Sequence, residues 1–590
     1  MVLTHPSLDW RGATPVARDV GDIYFSPDDA LGDVRHTYVS AIAPHFGQRK
    51  VIVIGETGFG TGLNFLVTWQ DWLARRRAGD RLIFVSTEAH PLRAADARRA
   101  LAPFSEIAPL CEQLLAFWPV GIPGPHRRFF DVGSERGLVE LWVLHGQALA
   151  ELRRQTFQAD AWYFDGFNPA ENPSLWTAEL LAECARLMAP GSLGGTFSVA
   201  TSVRQAMAAA GLVHEKRPGF GRKRHCLRLY KPGAPRARPC LSSPRLHLIG
   251  GGVAGAAACY AARERGLDAR LFDLKNSRPK DTHPKEAGLE SIPSGPIKSA
   301  STNPVALLNF KPTRAPDTPG NRLLAAALAQ VQRPYADLWL PGRGTFKPAG
   351  DAAQLAVYQA CLAAMGWADS CLSLRGQPKA GLYSPLAGAV RPAQVLARLG
   401  GEAVGDEADF RQAGEGLQVW ARGYGTLWAA PSLAAHLRRN RGQVDAFDAR
   451  QAPAPALPTT YGGYISPAID GRVVAGSSYD RDPDWHDPQV FAPRAQATAQ
   501  IVAKAQAAGF SLPSRPQESY VAARAFGRDH QPIVGQTLEG TWVLTGLGSR
   551  GFLTAPLLAE ILLDEVEGRA AVQVPTYDFK ACVLAGRFVL

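Results

Sequence analysis

Short runs of consecutive apolar residues recur through the first 230 positions, separated by stretches with apolar residues at helical spacing. Val51–Ile54, Leu82–Ser86, Val139–Leu144, Trp162–Phe164 and Thr196–Val199 predict strands, and Leu175–Met188 and Val203–Ala210 predict helices between them. Such alternation specifies an α/β fold with a mainly parallel sheet, whose ligands bind at the carboxyl ends of the strands. The pattern restarts with a strand at Leu246–Ile249, a helix at Ala254–Arg265 and a strand at Ala269–Phe272. Between the two blocks lie Lys231-Pro232-Gly233-Ala234-Pro235-Arg236-Ala237-Arg238-Pro239 and Leu241-Ser242-Ser243-Pro244. Prolines at this density keep a chain out of helix and ladder. The expected division is therefore 1–235, a linker at 236–244, and 245–590. Residues 276–296, rich in Pro, Lys and Ser, predict a long exposed loop. No internal repeat or heptad seam is found.

Each block carries a glycine-rich turn between its first strand and the next helix. The first is Gly55-Glu56-Thr57-Gly58-Phe59-Gly60-Thr61-Gly62, and the second is Gly250-Gly251-Gly252-Val253-Ala254-Gly255. Glycine lets the backbone approach a ligand without a Cβ in the way. Two such turns imply two cofactors and two reactions.

The first turn is neither a dinucleotide loop nor a P-loop. Gly58 and Gly60 allow close approach, and Glu88 ends the second strand, where a ribose would meet it. Glu56 adds negative charge that suits the sulfonium of S-adenosylmethionine. Further on, Asp160-Ala161-Trp162-Tyr163-Phe164 delivers Asp165 to the sheet's carboxyl edge, followed by the aromatic loop Gly166–Trp176. Methylating an amine requires its neutral form, and an alkylamine has a pKa of about 10, so a carboxylate that takes its proton is needed. Asp165 is the candidate.

The second turn is a stronger signal. Gly250, Gly252 and Gly255 follow a strand and open a helix, and Asp273 ends the next strand, in place for an adenosine ribose. The length of the block and the late element Gly546-Leu547-Gly548-Ser549-Arg550-Gly551-Phe552 favour FAD over NAD. Arg550 could face the flavin or a substrate carboxylate.

A formal charge of +11 favours polyanionic partners. It is concentrated between Lys216 and Arg238, which hold nine Lys or Arg and no acid. Arg222, Lys223 and Arg224 beside Phe220 read as an RNA-contacting loop with a stacking ring. The eight cysteines form no C-x-x-C pair and read as free thiols. No His pair has metal-ligand spacing, and the lone His486 reads as a surface residue, so no metal is expected. No apolar run reaches the roughly 18 residues of a membrane span, and the N-terminus lacks a signal-peptide core. A cytoplasmic monomer is expected.

These strings resemble one family closely, over nearly the whole chain: the bifunctional tRNA 5-methylaminomethyl-2-thiouridine biosynthesis proteins. The resemblance rests on Asp22–Ser26, Gly58–Phe65, Asp165–Pro173 with Trp176, Pro218–Lys223, the second glycine turn, Asn303-Pro304, Arg441–Val444, Asp529–Gly535 and Gly548–Gly551. It implies a class I Rossmann-like methyltransferase domain followed by a Rossmann-type FAD-binding domain with an α+β substrate subdomain. It implies FAD-dependent removal of the carboxymethyl group from 5-carboxymethylaminomethyl-(2-thio)uridine at the tRNA wobble position. Methylation of the exposed amine by S-adenosylmethionine would follow. It also places Asn303, Gly548, Ser549 and Gly551 at the flavin. Gln147 stands where the family carries an aspartate for the adenine amino group, and its carbonyl can still accept that bond. Asp33 replaces a common Glu, Thr302 replaces a common Gly, and Gly388-Ala389-Val390 lacks an expected Trp. Two other readings stay open: a small-molecule amine oxidase fused to an N-methyltransferase, and a tRNA-binding protein with one inactive site.

Overall fold

The computed structural model describes residues 3–131, 137–235, 237–273, 299–376, 379–401, 404–480, 483–485, 487 and 489–588. The predicted loop at 276–296, together with Arg236 and His486, lies outside them. In the N-terminal half, eight strands pair in the order Val213–Pro218, His225–Tyr230, Met188–Thr196, Ala159–Tyr163, Val51–Glu56, Arg81–Glu88, Leu138–His145, Gly124–Asp131. The five from Met188–Thr196 to Leu138–His145 run parallel. The outer three are antiparallel. Val51–Glu56 is central, and the chain leaves it to opposite sides, which opens a crevice at its carboxyl end.

The sequence expectations differ from this sheet in three places. Met188, expected to end a helix, begins a strand. The strand expected at Thr196–Val199 meets the observed Met188–Thr196 at Thr196 alone, and residues 197–199 lie beyond its end. That strand is glycine-rich because a Cβ on Gly194 would sit 2.7 Å from the Trp162 carbonyl oxygen, and one on Gly195 2.4 Å from that of Thr37. Hydrophobic patterning cannot register a strand selected for smallness. The helix expected from Leu175 starts later, at Ala178–Leu187, where Thr177 accepts the Leu180 N–H as an N-cap. The basic run is a loop only in part. Most of it is a hairpin, Val213–Pro218 against His225–Tyr230, and only 219–224 form the turn.

In the C-terminal half a six-stranded sheet runs Val404–Gly405, Ala269–Phe272, Leu246–Ile249, Leu417–Trp420, Trp542–Thr545, Ile533–Gln536, parallel except at the last pair. Helix Val253–Glu264 follows its first strand. A separate eight-stranded sheet is built around the long pair Leu437–Asp448 and Glu518–Gly527. No helix among the described residues is long and apolar enough to cross a membrane.

The halves share a core. One apolar cluster runs from Val51 and Trp142 through to Leu562 and Tyr577, with the Trp142 and Tyr577 rings 4.9 Å apart. Helix Gly551–Val566, buried along nearly its whole length, carries Glu560 and Asp564 to this boundary, with Glu567 just beyond its end. Arg127 bonds Glu140 at 2.9 Å and Asp564 at 2.8 Å. Arg569 clasps both oxygens of Glu140. Arg265 reaches Glu560, Asp564 and Glu567, and Arg81 bonds Glu567 at 2.7 Å. Four arginines thus face four carboxylates out of water. Burying charge is tolerated only because every ion has counterions within bonding distance.

Candidate active sites

The N-terminal crevice is a cavity of about 920 Å³. Gly60 and Gly62 hold left-handed φ values of 51° and 76°, which let the turn double back before helix Leu63–Arg75. Glu88 fixes that turn: one oxygen accepts the Gly60 N–H and the other the His90 N–H, both at 2.8 Å. Burial nonetheless holds its carboxyl above the usual range. Gly58, Gly60, Glu88, Gln147 and Asp165 all line the cavity, with Gln147 capping helix Ala148–Arg153.

Glu56 is placed otherwise than expected. It lies outside the lining and is 1% exposed, with Ser86 donating at 2.6 Å and Asn64 at 2.8 Å. Burial, reinforced by the charge of Asp165, pushes its carboxyl up to about 8. At neutral pH it is therefore an uncharged acid, and it does not supply the negative charge predicted for the sulfonium.

Asp165 follows strand Ala159–Tyr163. Its backbone is pinned by Thr57, whose hydroxyl donates to the Asp165 carbonyl at 2.6 Å and accepts its N–H at 3.0 Å. Its carboxylate accepts from the Gly166 N–H and, at 2.6 Å, from Asn64. Burial raises its pKa, while the nearby Tyr38 hydroxyl, these two donors and Lys223 pull the other way. That Tyr38 hydroxyl is itself buried without a partner of good hydrogen-bond geometry. Asn64, which bridges Glu56 and Asp165, escaped the sequence reading. Its signal was available: a polar residue within the otherwise apolar opening Leu63–Val67 of helix Leu63–Arg75.

Around the mouth, Tyr24 meets Phe167 edge-on with centroids 5.1 Å apart, and Phe220 sits in the hairpin turn. Arg222 pairs with Asp28 at 3.1 Å, and Lys223 with Asp33 at 2.7 Å while lying over the Phe197 ring. Both line the cavity; Arg224 is exposed and does not. The acids missing from the basic run in sequence are supplied by residues distant along the chain. Arg228, Lys231 and Arg238 are also spent on the protein, donating to backbone carbonyls.

The second cavity, of about 520 Å³, opens at the carboxyl end of Leu246–Ile249. Gly250, Gly252, Asp273, Asn303, Gly548, Ser549, Arg550 and Gly551 line it. Gly255 does not. A Cβ there would meet the Gly250 carbonyl oxygen at 2.0 Å, so this glycine lets the helix pack on the turn. Asp273 lies against the same turn, where a Cβ on Gly251 would meet its carboxyl carbon at 2.8 Å. The bare glycine turn at a helix N-terminus, with an acid at the end of the next strand, fits the pyrophosphate and ribose of FAD. Thr302 is exposed, its hydroxyl donating to the Ser299 carbonyl at 2.8 Å, and lies outside the lining.

Arg524, Lys347 and Tyr479 also line this cavity and were missed in sequence. Arg524 is 9% exposed in strand Glu518–Gly527, a lone cation within Val521-Ala522-Ala523-Arg524-Ala525-Phe526 that should have drawn notice. Burial lowers the pKa of both Arg550 and Lys347. With Lys311 and Arg422 in the same lining, these cations suit an anionic ligand.

Comparison with known proteins bears on both cavities. Residues 105–232 match a family of S-adenosyl-L-methionine-dependent methyltransferases, and residues 248–565 match the FAD dependent oxidoreductases. The tRNA 5-methylaminomethyl-2-thiouridine biosynthesis bifunctional protein MnmC of Caulobacter vibrioides is 32% identical over 584 residues, covering 95% of each chain. The chain belongs to the MnmC family. Its Pseudomonas aeruginosa PAO1 relative is 32% identical over 641 residues, 95% of this chain and 94% of that one. A glycine oxidase structure from Bacillus cereus is similar at 16% identity and a TM-score of 0.40, covering 57% of this chain and 98% of that one. Like other members of the MnmC family, this is a bifunctional enzyme, with an S-adenosylmethionine-dependent methyltransferase preceding an FAD-dependent oxidoreductase.

Proposed function

We propose that the enzyme rebuilds the side chain of a tRNA wobble uridine in two steps. The oxidoreductase oxidises the carboxymethyl arm of 5-carboxymethylaminomethyl-(2-thio)uridine to an imine, which water hydrolyses to glyoxylate and the 5-aminomethyl group; the methyltransferase then methylates that amine. The carrying observation is one chain that pairs a cation-lined flavin cavity with a methyl-donor cavity centred on a half-buried carboxylate. When bound, FAD accepts two electrons from the amine's carbon and S-adenosylmethionine offers an electrophilic methyl group.

The arm removed in the first step is an N-substituted glycine, and Arg524 and Arg550 hold its carboxylate. The amine then enters the N-terminal cavity beneath Tyr24 and Phe167, where Asp165 orients it and takes its proton. Asn64 and the Gly166 N–H favour the ionised form of that carboxylate against the cost of burial. Glu88 and Gln147 hold the ribose and adenine of the methyl donor, and Asp273, Asn303 and the Gly548–Gly551 turn hold the flavin. The exposed Arg224, with Arg222 and Lys223 at the cavity mouth, meets tRNA phosphates. The division at 1–235, 236–244 and 245–590 is kept, and the enzyme is assigned to the cytoplasm, where its tRNA is found.

The test uses tRNA from cells lacking this protein, incubated with the purified enzyme and analysed by nucleoside mass spectrometry. Without S-adenosylmethionine, 5-aminomethyl-(2-thio)uridine should accumulate; with it, the 5-methylaminomethyl product should form. Unaltered carboxymethylaminomethyl nucleoside in both arms refutes the proposal.

A further inference from the structure

The flavin cavity has a feature that neither flavin binding nor carboxylate binding accounts for. Tyr479 is 51% exposed, and among the described residues only two other large apolar side chains, Val213 and Leu538, are more exposed. Neither of those lines either active-site cavity, whereas Tyr479 stands in the wall of the flavin cavity. The Arg524 guanidinium carbon lies 5.2 Å from its ring centroid. Lys311, Lys347 and Arg550 complete a positive lining around it, and the strand Arg472–Gly476 leads the chain to it. Exposure alone is ordinary for a single ring, but a half-exposed ring in the wall of a cation-lined cavity offers a face on which a planar ligand can stack. A ring on a cationic rim is how proteins hold an unstacked nucleobase: the base stacks on the ring while the cations meet phosphate.

We infer that Tyr479 is the stacking platform for the uracil ring that carries the amine, and thereby a specificity-determining residue of the oxidoreductase. The inference rests on the tRNA reading above. Stacking on Tyr479 would leave the arm at position 5 of the ring to enter the cavity toward Arg524 and Arg550. A base that failed to stack would present the arm only transiently, which raises KM and leaves the chemical step alone.

The experiment compares the FAD-loaded wild type with Tyr479→Ala and Tyr479→Phe. The substrate is an anticodon stem-loop RNA bearing 5-carboxymethylaminomethyluridine at the wobble position. A parallel titration uses the same RNA with the fluorescent base 2-aminopurine there. Tyr479→Ala should raise KM by roughly 5- to 150-fold, the range expected for losing one base–aromatic stack, with kcat changed far less. It should also abolish the quenching of 2-aminopurine seen with wild type. Tyr479→Phe, which keeps the ring, should restore both. Flavin content and absorption spectrum report whether each variant folds. If the wild type is active and Tyr479→Ala matches it in KM and quenching, this inference alone is overturned. It also falls if kcat drops as far as KM rises, or if Phe fails to rescue. If the wild type neither binds nor oxidises the RNA, the tRNA reading fails and takes this inference with it.

Discussion

Replacing Glu56 by Gln should remove a pH dependence of stability from the methyltransferase half. In the native protein Glu56 is buried beside Asp165, and its carboxyl is pushed up from 4.5 to about 8. Unfolded, it returns to the ordinary value. Between these limits the folded state holds a proton that the unfolded state releases, so stability falls as pH rises, by about 1.4 kcal/mol per unit. Over a span of about 3.5 units the total approaches 5 kcal/mol. An amide keeps the neutral character of the protonated acid and can serve Asn64 and Ser86 in the same places. Glu56→Gln and wild type should therefore be similarly stable near pH 5 and diverge above it, with the variant the more stable at pH 9. Urea denaturation followed by tryptophan fluorescence, run from pH 5 to 9, reads the difference directly. A difference that stays flat across that range would refute the argument that Glu56 is a neutral acid in the native state.

Asn64→Leu removes the donor shared by Glu56 and Asp165. The Asp165 carboxyl, already raised by burial, should rise further once this donor is gone. The acid limb of the methyl-transfer pH–rate profile should shift upward accordingly, leaving the oxidation profile in place; an unmoved limb counts against Asp165 as the proton acceptor. Arg524→Met should lower kcat/KM of oxidation by about 10²-fold or more by unpairing the substrate carboxylate, while the protein stays yellow. Steady-state kinetics with intact flavin content and near-normal turnover would exclude Arg524 from the site. Glu140→Ala leaves Arg127 and Arg569, whose side chains are 0% exposed, short of their counterion. The expected cost is about 3–5 kcal/mol in denaturant titrations, and a loss below about 1 kcal/mol would mean that the network has relaxed around the gap.

The glycine turns and the apolar strands that feed them were legible in sequence, because a strand buried on both faces and a turn free of Cβ atoms each leave a local mark. The same holds for Asp273 and Asp165, delivered to the sheet edge by such strands. What was illegible depends on partners distant along the chain. Glu56 reads as a negative charge until Asn64, Ser86 and Asp165 are seen to enclose it. Lys223 reads as an unpaired cation until Asp33 is found beside it. The strand Met188–Thr196 carries no apolar run, because its glycines answer to the Trp162 and Thr37 backbone. Arg524 and Tyr479 reach the flavin cavity only once the second sheet of the C-terminal half is assembled.

Helix Gly551–Val566 begins at the lining of the flavin cavity and ends among four arginines, two of which, Arg81 and Arg127, belong to the other catalytic half. At about 24 Å in length it acts as a strut. A strut seated at one end on a cofactor turn and clamped at the other by ion pairs leaves little freedom for one active site to swing toward its neighbour. Handing over the aminomethyl intermediate then falls to the tRNA itself, whose anticodon loop must withdraw from one opening and re-present its base at the other. Pausing between the two chemistries would on this view be set by RNA departure and return, which a chase with unlabelled tRNA during a single turnover can time.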